Sequence, residues 1–139
     1  MDTIGDAYVV VGGLVDDVDK RQLANRLFHL AQKMINTVQQ FKTFTRHDVG
    51  IRIAIHAGPA ASGVVGRLRP RFYVFGPTMR EASMLETAGQ KNHIHVSKKV
   101  ASLYFQNHFA LTPSEGPFHS YFVDQPSQLQ QVALAKSNQ

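Results

Sequence analysis

Apolar and polar positions alternate through Ile51, Ile53 and Ile55, with Arg52, Ala54 and His56 between them. A period of two predicts a strand with an isoleucine face and a mixed opposite face. Gly58-Pro59 ends that strand, because proline offers no amide to a ladder. Ala60 to Gly66 is small or β-branched throughout, with Gly63 and Gly66 flanking Val64-Val65. Such a run predicts a second short, buried strand that another backbone or a ligand approaches closely. Periodicity alone reads the pair as the core hairpin of any α+β protein.

A different period precedes it. Leu23, Leu27, Leu30, Ala31, Met34, Val38 and Phe41 recur at steps of three and four. This predicts a long amphipathic helix with that stripe against a sheet. Asp16, Asp17 and Asp19 stand near its start, where acids suit the positive end of the helix dipole. His29 and the Asn and Gln residues fall off the stripe and read as solvated.

Near the start, Tyr8 to Val11 is a β-branched run closed by Gly12-Gly13, which places Gly5-Asp6 at the turn of a hairpin. Later, Gly76-Pro77 opens a helix over Thr78 to Thr87, with Met79, Ala82 and Leu85 as its core face. Ile94 to Ser97 reads as a strand, and Ser97 as the N-cap of a short helix, Lys98 to Phe105. Phe109 to Leu111 and Phe118 to Val123 predict a closing hairpin around Pro113 to Pro117. Residues 1–125 form one unit in this reading, and 126–139 a polar tail.

At 139 residues, 43% hydrophobic and 18% charged, the chain has the composition of a globular domain. It lacks cysteine, which excludes disulfides and thiolate metal sites and fits a cytoplasmic domain. No apolar run is long enough to span a bilayer, so the sequence carries no membrane segment of its own, and membrane attachment of a longer parent stays open. The net charge of +5 is scattered rather than clustered, against a nucleic-acid partner. Arg67, Arg69 and Arg71 are the local exception. They could meet a phosphate-bearing ligand, but a solvated face is the favoured reading. His93 and His95 alternate without further metal-ligand spacing and read as ordinary strand residues.

The run Gly50 to Gly66, GIRIAIHAGPAASGVVG, closely resembles the strand-turn-strand signature of class III nucleotidyl cyclases, roughly IRIGIHTGPVVAGVVG. Arg69 to Gly76 looks like that family's next strand, MPRYCLFG, and Thr3 to Tyr8 like its TIGDAY hairpin. Three long matches in order are far more specific than a lone glycine motif. The resemblance implies an α+β, ferredoxin-like cyclase catalytic domain: a mainly antiparallel sheet with helices packed on one face, its N-terminal portion missing.

It also implies a chemistry. The family cyclises ATP or GTP on two Mg2+ or Mn2+ ions held by two aspartates, and Asp6 matches the second of these. The first would lie before Met1. An ordinary Gly-Asp turn is the bland alternative for Asp6. The family's transition-state asparagine and arginine fall on Arg80 and Met84, and its lysine, anchored on Ser120-Tyr121, on Glu115, which would repel a triphosphate. Base-reading positions fall on Asp2 and Tyr73. A carboxylate at Asp2 suits guanine better than adenine, a lean to GTP.

A retained metal aspartate beside altered transition-state positions resembles the metal-bearing half of a heterodimeric or tandem cyclase, whose partner is a second cyclase domain. A homodimer of this chain, and the fragment alone, should be inactive. The rival reading is a pseudocyclase, a regulatory or dimerising module without catalysis.

Overall fold

The computed structural model describes residues 2–4, 6–14, 18–105, 110–115 and 119–124, with the side chains of 2–4, 104 and 105 left aside. Asp16 and Asp17, Phe109, the Pro117-Phe118 segment and the polar tail lie outside the described residues.

The chain opens on a hairpin. β1 (Asp2–Ile4) and β2 (Ala7–Val9) are antiparallel, with Ile4 opposite Ala7. The predicted turn therefore falls where expected. Of its two residues Asp6 is described and exposed, and Gly5 lies outside the described residues.

α1 (Lys20–Thr45) is the long amphipathic helix, and Asp19 caps it by accepting from the Arg21 amide at 3.2 Å. Its buried residues are Ala24, Phe28, Ala31 and Ile35. The predicted stripe is thus displaced to one side. Ala31 belongs to the buried set, Leu23, Leu27, Met34 and Val38 are half-buried, and Leu30 and Phe41 are exposed. Both series recur at three- and four-residue steps, so the apolar arc is wider than the core it meets. Phe28 and Ile35, both fully buried, take the centre.

They pack on a four-stranded sheet of order β3-β6-β8-β7, built from β3 (Ile53–Ile55), β6 (Ile94–Ser97), β7 (Leu111–Ser114) and β8 (Ser120–Val123). β3 and β6 are parallel; the other pairings are antiparallel. Ile55, Ile94, Val96 and Val123 meet α1, joined by Val100 and Ala101. Each fully buried side chain of this size contributes roughly 1.5–3 kcal/mol. Ser97 caps α3 (Lys98–Val100) as predicted, but the helix continues as a π-helical turn, Ala101–Phe105. Pro113 lies within β7 opposite Tyr121 rather than in the hairpin loop.

α2 (Pro77–Thr87) starts at Gly76, whose φ of 132° only glycine adopts without strain, with Pro77 at the first helical position. Leu85 is buried, and Met79 and Ala82 are half-buried. Arg52 reaches Glu86 at 2.7 Å, and His56 reaches Glu81 at 3.0 Å. Both come from the side of β3 opposite the isoleucines. The helix layer is therefore not confined to one face: α1 covers the isoleucine face, and alternation sets α2 against the other.

β4 (Ala61–Val65) does not pair with β3. It forms a separate antiparallel ribbon with β5 (Arg71–Phe75). Nor is it buried, since Val64 and Val65 stand exposed and only Gly63 is half-covered. Small and β-branched residues fit a strand either way, and burial depends on what lies over it. Arg71 is on β5 while Arg67 and Arg69 occupy the bend at the ribbon's tip, so the three arginines do not share one strand face.

Candidate functional site

Asp6 projects from the β1–β2 turn, where a short polar residue suits tight backbone geometry. Its carboxylate is exposed, a hard oxygen donor of the kind a divalent metal takes. Among the described residues no group of three His, Cys, Asp or Glu is close enough to hold an ion. The donor set therefore fits one ligand of a metal centre and not a whole one. Asp2 lies on β1 opposite Val9, and its side chain is outside the described part.

Arg80 and Met84 are four residues apart on α2, hence stacked on one helix face, and both are exposed. Gly76 and Pro77 set where that face begins, and Thr78 pins the helix start by donating to the Pro59 carbonyl at 2.5 Å. Glu115 follows β7 and is exposed. It borders a groove whose other walls include Ala88, His93, Thr112, Phe122 and Asp124. Two carboxylates there, with Asp124 accepting from Thr112 Oγ1 at 3.2 Å, disfavour an anionic ligand. Tyr73 sits on β5 opposite Gly63 and is 40% exposed. The sequence-derived positions thus occupy four places: the first hairpin, the β4–β5 ribbon, α2 and the end of β7.

His95 links two of these places. It is fully buried and stacks on Phe122 with ring centroids 4.4 Å apart. Its Nδ1 lies 2.8 Å from the Leu85 carbonyl and its Nε2 2.9 Å from Ser120 Oγ. A carbonyl only accepts, so Nδ1 carries the proton and Nε2 accepts from the serine hydroxyl. Burial holds its pKa below the ordinary histidine value, which keeps the ring neutral. Leu85 lies in the last turn of α2, where carbonyls lack helical partners, so the histidine caps the helix next to Met84. Ser120 is paired with Ser114, the neighbour of Glu115. Alternation puts His95 on the strand face opposite Ile94 and Val96; that α2 covers this face and buries the ring is what the sequence pattern does not carry.

The adenylate and guanylate cyclase catalytic domain family matches residues 1–119. Guanylate cyclase 32E of Drosophila melanogaster is 40% identical over 107 residues, which is 74% of this chain and 9% of that protein. Human atrial natriuretic peptide receptor 2 is 41% identical over 99 residues, 70% of this chain and 9% of the receptor. The crystal structure of the guanylate cyclase domain of RhGC from Catenaria anguillulae, in complex with GTP, superposes with a TM-score of 0.68 at 28% identity. That likeness covers 81% of this chain and 65% of the fungal one. The chain thus spans about a tenth of the curated relatives it matches and about two-thirds of a solved domain.

Proposed function

Because this chain belongs to the adenylate and guanylate cyclase catalytic domain family, we propose that it serves as the metal-bearing half of a cyclase dimer. The reaction is intramolecular: the ribose 3′ oxygen attacks the α-phosphorus, the bond to the β-phosphate bridging oxygen breaks, and pyrophosphate leaves. The ribose proton passes to solvent or a base. A divalent ion, Mg2+ or Mn2+, when bound lowers the pKa of that hydroxyl and offsets phosphate charge. Asp6 would hold it as one of its carboxylate ligands.

The single observation that carries this reading is the asymmetry of the site residues. Asp6 stands exposed at its hairpin turn, while Arg80, Met84 and Glu115 stand exposed with side chains unable to reproduce an amide, a guanidinium and an ammonium at those places. A partner cyclase domain would supply those three groups to the productive site. GTP is the favoured substrate, supported by the guanylate cyclase names of a relative and a solved structure; the partner's residues would read the base in the productive site, and Asp2 only in a second site on this chain's own side. Tyr73 lines the corresponding base position on this chain's own side.

The test is cyclic-nucleotide formation by the full-length parent with a partner domain. Asp6→Ala should abolish product while leaving the fold intact, since an exposed turn carboxylate contributes little packing. Retained activity would remove Asp6 from the metal site. The second reading, a pseudocyclase, draws support from the same three altered positions. It predicts dimerisation with no product from any partner.

A further inference from the structure

A groove of about 510 Å³ runs between the edge strand β7 and the chain that follows α2. That is the size of a small-molecule site. Its floor is Phe122, held by the stack on His95 and by an edge contact with His93 at 6.1 Å. Thr112 is the cross-strand partner of Phe122, and Ser114 of Ser120, so alternation sets Thr112, Ser114 and Phe122 on one face. Asp124 stands at one end, against Thr112 Oγ1. Glu115 stands at the other, three residues along the chain from Thr112, roughly 10 Å in extended backbone. Among the described residues neither carboxylate forms a salt bridge, and no lysine or arginine lines the groove. A chain of net charge +5 thus keeps this groove acidic at both ends.

We propose that this groove binds a linear aliphatic diamine in its doubly protonated form, with one ammonium at Glu115, the other at Asp124, and the methylene chain across Phe122. The order acid, aromatic, acid is the complement of ammonium, alkyl, ammonium. Each ammonium has three donors, and the Gln90 side-chain oxygen and the Ser114 hydroxyl on the groove wall can accept those the carboxylates leave. A divalent metal fits poorly, because carboxylates at opposite ends of β7 cannot both reach one ion. A basic peptide would have to lie along the edge of β7, where Pro113 offers no amide to a ladder. The site goes beyond the cyclase reading and does not rest on it.

The experiment is calorimetric titration of the full chain with diamines of two to six carbons, and with butylamine as the single-charge control. Diamines with four- or five-carbon chains should bind best, and at least about threefold tighter than butylamine. Glu115→Gln and Asp124→Asn should each weaken the diamine about threefold or more and bring it to the level of butylamine. Asparagine keeps an oxygen for Thr112, and Glu115 is exposed, so folding should be unchanged, which circular dichroism checks. Wild-type affinity should fall with salt, and the double variant should lose that dependence.

Absence of diamine binding at millimolar concentration overturns the proposal. So does butylamine binding as tightly as the diamines, or wild-type affinity in both variants. Binding of Mg2+ or of a lysine-rich peptide that requires Glu115 and Asp124, with no diamine bound, would assign the groove to another ligand and overturn it as well. Asp6 lies on the first hairpin, so Asp6→Ala should bind diamine like wild type. Failure of the metal-bearing reading would therefore leave this site standing, and the reverse holds too.

Discussion

Replacing His95 by phenylalanine should cost about 2–4 kcal/mol of stability and remove a pH dependence. The ring is fully buried, so a phenyl group keeps most of the volume and the stacking on Phe122. What is lost is the donor to the buried Leu85 carbonyl, worth about 1–3 kcal/mol when left unmade, and the bond from Ser120, worth about 1 kcal/mol. The sign of the pH effect follows from the depressed pKa. Above about pH 6.5 both folded and unfolded forms are neutral, and the contribution is fully present. As pH falls below that value the unfolded chain takes up the proton first, and stability declines until the folded pKa is passed. Urea melts of wild type and His95→Phe at pH 7.5, 6.5 and 5.5 give the difference, in which the other histidines cancel. The gap should be widest at pH 7.5 and narrow toward 5.5. Equal stability at pH 7.5, or a gap that does not change with pH, would refute the reasoning.

Two further outcomes follow from packing and charge. Ile35→Ala should cost about 2–4 kcal/mol because the site is fully buried, whereas Phe41→Ala, 53% exposed, should stay within about 0.5 kcal/mol; a reversed order in denaturant melts would mean that the other stripe of α1 faces the core. Lys42 and Lys91 hold the Asp48 carboxylate at 2.6 and 2.9 Å and lower its pKa to about 2, Lys42 foremost. This clamp between α1 and the turn before β6 should be intact above about pH 4 and lost as pH falls toward 2. An NMR titration of Asp48 with a midpoint near the ordinary aspartate value would show the clamp unformed.

Much of the fold is legible in local pattern. Alternation at Ile51 to His56 fixed both faces of β3, and the proline after Gly76 fixed the start of α2 within a residue. Ser97 was readable as a cap because a short hydroxyl precedes a helix and follows a strand. What escaped depends on neighbours distant in sequence. On α1 two apolar series share one period, and only the sheet decides that Phe28 and Ile35 point inward. At Ala60 to Gly66 the residues permit a strand in water or in a core, and its pairing with β5 instead of β3 is not written in its composition. His95 looked like half of an idle His-Ile-His pattern. Its use as a helix cap requires Leu85 and Ser120 to converge, which no spacing encodes. Asp6, Arg80, Met84 and Glu115 were legible as positions by resemblance alone; their exposure is what the fold adds.

The most direct test of the central claim is metal-dependent product formation by the full-length parent, alone and mixed with a partner cyclase that keeps the asparagine, arginine and lysine. With Mn2+ or Mg2+ and either GTP or ATP supplied, cyclic nucleotide should form only in the mixture, with GTP favoured, and should vanish with Asp6→Ala. Product from the parent alone would contradict the division of labour between the two halves, and an active Asp6→Ala mixture would contradict the metal-bearing role itself.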